Sequence, residues 1–217
     1  MRKYTFWTLL FVSVLFSAAT IAQHGGCEIE HSGKYYDSLN AEYGQNKAFS
    51  PDFLEPALLA LKAYPELKGT SVTFIEKPIH TLMAARPTPG FIFRSKRNRH
   101  YYIIISTNAK NNSKEILDRI SKCGLTGIIA HEYAHLIDYS HRSNLGMIWF
   151  GIKYLFDKKE IESNTDLEAI NRGFGDELLE FDRYIYNSKF TSKRYLKNKR
   201  KNYLSVNEIQ KYLGHNL

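Results

Sequence analysis

Leu125-Thr126-Gly127-Ile128-Ile129-Ala130-His131-Glu132-Tyr133-Ala134-His135-Leu136-Ile137-Asp138-Tyr139 is the stretch on which the reading of this chain turns. Its apolar residues recur at helical spacing and no proline interrupts it. Residues four apart on a helix lie on one face, so His131 and His135 can aim both imidazoles at one metal ion. Glu132 stands beside the first histidine, within reach of a water on that ion. The five-residue pattern alone arises by chance on the order of once in a hundred chains of this composition. The flanks add to it: Gly127 to Ala130 ahead and Leu136 and Ile137 behind predict a firmly packed helix, as a site that must hold its ligands needs. Asp138 follows His135 by three positions and His131 by seven. It falls on the metal-facing side, as a partner for His135, or else at the surface where the helix ends.

A catalytic zinc site takes three protein ligands and keeps a fourth position open, so the third is sought downstream. Glu160-Ile161-Glu162-Ser163-Asn164-Thr165-Asp166 opens a further predicted helix from about Lys158. It sets Glu162 and Asp166 one turn apart. One carboxylate can bind the metal while the other accepts the remaining N–H of a ligand histidine. Glu160, on the same predicted helix, is a rival ligand.

His131-Glu132-Tyr133-Ala134-His135 followed by Glu162-x-x-x-Asp166 resembles the gluzincins, the thermolysin-like zinc metallopeptidases. The resemblance covers about residues 100–175. It implies an α+β, zincin-like fold: a small N-terminal sheet with helices, then the HExxH helix and a mainly helical C-terminal half. It implies one Zn2+ per chain, ligands His131, His135 and Glu162, Glu132 as general base, and Asp166 as partner of His131. The substrate would be a peptide or protein. The chain is short for that group, which points to a minimal version with much of the usual second subdomain reduced. The rival is a catalytically inactive zinc-binding or envelope-associated protein of the same fold; the presence of Glu132 speaks against it, because a structural site has no need of that residue.

Outward from the motif, Ser50-Pro51 predicts a helix to about Tyr64, with Ser as cap and Pro at the first helical position. Ser71–Glu76, Gly90–Arg94 and His100–Thr107 read as strands of a small sheet. The last is a plausible edge for an extended substrate or, with isoleucine at 103, 104 and 105, an interior strand. Beyond Asn108 the pattern is helical. Asn144–Phe156 is one helix, Lys158 to Gly173 or Gly175 another, a third reaches about Tyr186, and Ser205 caps a last one ending near Gly214. The apolar run Leu145–Phe156 reads as a core helix or as an exposed contact for substrate or membrane; twelve residues are too few to span a bilayer, which favours the core helix.

The chain has 217 residues, 43% of them hydrophobic and 24% charged, which excludes disorder, collagen-like repetition and a polytopic membrane protein. The net charge of +8 is unevenly placed: +2 in residues 1–22, +7 in residues 189–217 and −1 between. Basicity therefore argues weakly for nucleic acid. Residues 1–22 read as a signal peptide, with Arg2 and Lys3, the apolar run Phe6–Phe16 and small residues up to a cleavage after Ala22. The expected product is secreted or periplasmic and has no transmembrane helix. In an oxidising compartment Cys27 and Cys123 form the only possible disulfide. Residues 23–188 are expected to be the metallopeptidase-like domain and 189–217 a basic, partly helical tail, with an anionic surface as its possible contact. The many tyrosines leave the oxyanion-stabilising group unassigned.

Overall fold

The computed structural model describes residues 31–214, which fold as an α+β unit. Helix α1 (Gly33–Tyr43) leads into a short strand β1 (Lys47–Ala48). A turn at Pro51–Phe53 then opens α2 (Leu54–Leu61), whose residues 56–61 are all buried. Strands β2 (Ser71–Lys77), β3 (Met83–Pro87) and β4 (His100–Ser106) complete a four-stranded sheet in the order β1-β2-β4-β3. The first three strands of that order run parallel, and β3 pairs antiparallel with β4, Ala85 facing Ile103.

This topology decides between two readings and corrects a third. The strand His100–Thr107 is interior, flanked by β2 and β3, as its isoleucines allow. Met83–Pro87 is an edge strand, with β1 at the other edge. Gly90–Arg94 is no strand, because Gly90 turns the chain at φ +79° and Phe91–Phe93 form a single 3-10 turn.

The short α3 (Ser113–Leu117) precedes the central helix α4 (Lys122–His141), which packs on α2, β3, α6 (Lys158–Ala169) and α7 (Gly175–Asn187). Ser121 caps α4 by accepting from the Gly124 N–H at 3.1 Å. At its other end the buried Arg99 guanidinium donates to the carbonyls of Tyr139 (3.0 Å), which also takes the Arg142 N–H, and of Arg142 (2.9 Å) just past the helix. Gly127 sits where a Cβ would lie 2.5 Å from the Glu177 carbonyl carbon, so only glycine lets α4 and α7 approach this closely.

Helix α5 (Asn144–Phe156) buries only Met147 and Phe150 and half-buries Tyr154, while the other residues of its apolar run face solvent. The expectation of a core helix is thereby overturned: there is no further element among the described residues to cover a second apolar face. Then come α6 (Lys158–Ala169), a bend in which Gly173 takes φ +91°, and α7 (Gly175–Asn187). The basic C-terminal segment forms α8 (Lys193–Asn202) and α9 (Val206–Tyr212). These pack on the domain rather than trailing from it: Lys199 is buried with its Nζ 2.6 Å from Asp182 Oδ1, and Ile209 is buried. Among the described residues no helix is long and apolar enough to cross a membrane. Residues 1–22, expected to be a signal peptide, and Cys27 lie outside the described residues; Cys123 is buried in the first turn of α4.

Candidate metal centre

Helices α4 and α6 meet at their most polar buried residues. His131, Glu132 and His135 of α4, and Glu162 and Asp166 of α6, are each 2–6% exposed. Charged and imidazole groups leave water at this cost only when their partners are supplied by the fold. His131 Nε2 and His135 Nε2 lie 3.2 and 3.3 Å from the same oxygen, Glu162 Oε2. The three donor atoms fall within 4.8 Å of one another, so this buried group could hold a metal ion. Glu160, the rival, faces outward and pairs with Lys153 at 3.0 Å.

The outer nitrogens are fixed as well. His131 Nδ1–H donates to Asp166 Oδ1 at 2.7 Å, and the other oxygen of Asp166 accepts from the Leu204 N–H at 3.0 Å. Thr165 Oγ1 donates its one proton to the Ile161 carbonyl at 2.8 Å. It therefore accepts from His135 Nδ1–H at 3.3 Å. Each imidazole thus spends its Nδ1–H outward and turns its Nε2 to the shared centre, as a lone pair once the ring is neutral. The second oxygen of Glu162 accepts from the Tyr154 hydroxyl, with Lys158 Nζ 4.0 Å away.

Two pKa shifts follow from this packing. Burial alone would lower the His131 imidazole, but the Asp166 carboxylate against it, aided by Glu162 and Glu132, holds it well above the usual histidine range. Burial alone would raise Glu162, yet hydrogen bonds from both histidines keep its carboxyl far below the usual carboxylate range. Without a cation between them the three groups retain a proton, which a metal would displace.

Glu132 points away from the histidine pair toward the edge strand and accepts from the Ala85 N–H at 2.5 Å. The Ala85 carbonyl accepts from the Tyr139 hydroxyl at 3.4 Å. Both backbone groups of Ala85 therefore face α4 rather than β4. Met83, Ala84, Ala85, Arg86, Tyr139, Tyr154 and Tyr203 line the narrow cleft in front of His131, Glu132 and His135.

Asp138 is not part of this arrangement. Its carboxylate takes a bidentate pair from Arg142, at 2.8 and 2.9 Å, and Thr165 occupies the place beside His135 that Asp138 was expected to fill. One turn beyond His135, the helix has rotated far enough to carry Asp138 toward solvent. Sequence reasoning also missed Tyr203 and the N–H of Leu204, which arrive from the end of the basic segment. The ring of Tyr203 lies 5.7 Å from that of His131. No protein-family model, curated protein or solved structure matches the chain.

Proposed function

We propose that this chain is a zinc-dependent endopeptidase of the gluzincin type, with a zincin-like fold, acting outside the cytoplasm after export through residues 1–22. The observation that carries the reading is the convergence of His131 Nε2 and His135 Nε2 on one oxygen of Glu162. In a tetrahedral zinc site with bonds of about 2.0–2.1 Å, neighbouring donors stand about 3.3–3.4 Å apart. The separations of 3.2 and 3.3 Å fit that edge, and two imidazoles with one carboxylate are a donor set zinc favours. Asp166 behind His131 supports it further, since an outer carboxylate fixes the tautomer and raises the ligand's basicity.

Zinc held there would supply a Lewis acid and lower the pKa of a water molecule toward neutrality. The remaining work falls to the chain. Glu132 accepts a proton from the attacking water and returns it to the leaving amine; its other tie, the Ala85 N–H, holds the carboxylate in the cleft. Strand β3 borders the cleft in which an extended peptide would lie, in front of Ala85 rather than paired with it, since Glu132 and Tyr139 already take both its backbone groups. Tyr203 and Arg86 are the cleft residues free to donate to a developing oxyanion, because the hydroxyls of Tyr139 and Tyr154 are committed to Ala85 and Glu162.

The test is metal content by elemental mass spectrometry alongside casein hydrolysis. One zinc per chain is expected, lost in His131→Ala and Glu162→Ala. Glu132→Gln should retain the metal and lose activity by about 10²–10⁴-fold. A folded wild-type chain that carries no zinc, even after incubation with it, would overturn the proposal.

A further inference from the structure

Helix α5 carries an apolar face that nothing among the described residues covers. Met147, Phe150 and Tyr154 point inward, Phe150 against the ring of Tyr139 at 5.6 Å. The opposite face reads Leu145, Ile148, Trp149, Ile152, Leu155 and Phe156, spaced by three and four so that all line one side. Leu145, Trp149, Leu155 and Phe156 are 78, 68, 77 and 80% exposed. Beside them stands the turn that sequence reasoning took for a strand. Asn144 Nδ2 donates to the carbonyls of Ile92 (2.8 Å) and Arg94 (3.1 Å), and Arg99 in turn holds the Asn144 side chain. This fixes Ile92 and the 87%-exposed Phe93 to the start of α5. Isolated exposed apolar residues are ordinary; a built, contiguous set of eight is a contact surface.

The charges around the face decide what it contacts. Leaving aside the buried Arg99 and the Arg142 that Asp138 pairs, residues 91–98 and 143–160 hold six Lys and Arg against only Asp157 and Glu160, a net +4. Because residues 23–188 together sum to −1, everything else in that span sums to −5. The positive field is thus local to the apolar face. Arg94, Lys96 and Arg97 rim one end, and Lys158 and Lys159 the other. A second copy of the chain would set +4 against +4 and be repelled. An anionic bilayer surface offers both complements at once: acyl chains for the apolar face and headgroup phosphates for the rim. Thirteen residues form a rod about 20 Å long, too short to span but suited to lying in the interfacial plane, with Trp149 at headgroup depth.

We infer that α5, together with Ile92 and Phe93, is an interfacial docking surface for anionic phospholipid membranes. It stands independently of the metal site.

The test uses the full chain with Trp7→Phe, so that Trp149 is the only tryptophan. Its emission is followed as vesicles are added, either of phosphatidylcholine alone or with roughly one-third phosphatidylglycerol. The expected result is solvent-exposed emission in buffer that shifts to the blue and is quenched by brominated acyl chains in anionic vesicles. Half-maximal change should need at least about ten-fold less lipid than with phosphatidylcholine alone. Arg97→Glu with Lys159→Glu should erase most of that difference, and Leu155→Ser with Phe156→Ser should abolish the shift. Capture of the chain by vesicles with Trp149 emission unmoved would overturn the inference, since residues 6–16 would then be the contact. Equal response to both vesicles would overturn its anionic part. Blue emission already present in buffer would overturn it too, assigning the face to a second copy if dilution reverses it and to the chain's own N-terminal segment if not.

Discussion

Helices α4 and α5 are neighbours in the chain, and their composition gives the opposite of their placement. The more polar α4 carries three histidines, a glutamate and an aspartate, yet fifteen of its twenty residues are buried. The more apolar α5 buries two of thirteen. The difference shows that burial is decided by partners rather than by hydrophobicity alone. Each buried polar group of α4 at the centre meets an acceptor or donor from β3 or α6, while the outer face of α5 meets no packed element among the described residues.

The contrast breaks most readily at Gly127. Substitution by alanine places a methyl 2.5–2.7 Å from the backbone of Glu177 and Leu178, which cannot yield as a side chain tip would. We expect a loss of about 1–3 kcal/mol despite alanine's better helix propensity, read as a fall in urea midpoint at unchanged slope. A gain in stability would mean that α4 and α7 are not so closely apposed.

Glu177 itself sharpens the point about partners, for its Oε2 is buried with no hydrogen-bond partner among the described residues. Burial pushes its carboxyl up to about 7. The folded state therefore binds this proton more tightly than the unfolded one. The group's contribution is most favourable below about 4.5 and is lost as pH rises to about 7. Glu177→Gln should leave stability near pH 4 almost unchanged and raise it at pH 8 by about 1–2 kcal/mol, flattening the profile between. An identical profile in thermal melts would remove Glu177 from the account.

The smallest effect belongs to α5. Leu155→Ser should alter stability by less than about 0.5 kcal/mol, since its side chain already stands in water. A loss of several times that size in the same urea assay would show that the face is covered in solution.

What was legible in the sequence follows the range of the interactions. His131, His135 and the pair Glu162 and Asp166 are related by one helical turn each, so spacing alone places them on common faces. The preference for Glu162 over Glu160 comes with the resemblance, whose second motif sets glutamate and aspartate four apart. Contacts between distant backbone groups leave no such mark: the N–H of Ala85 on Glu132 and of Leu204 on Asp166 could belong to any residue type. Strand β3 escaped notice because Ala84, Ala85 and Pro87 lack the β-branched signature, whereas Phe91-Ile92-Phe93 carries it and forms a 3-10 turn. Asp138 illustrates the limit of the helical wheel. Its nominal face was right to within one turn, and Arg142, four residues on, took the carboxylate instead.

The bond from Leu204 to Asp166 gives the site a history as well as a shape. A chain made from its N-terminus carries both histidines, Glu162 and Asp166 well before residues 203 and 204 exist. Through that interval the oxygen of Asp166 that will face Leu204 is left to water, and Tyr203 is missing from the cleft. The centre is thus completed only once residues 203 and 204 have been made, by the segment that looked from its charges like an afterthought.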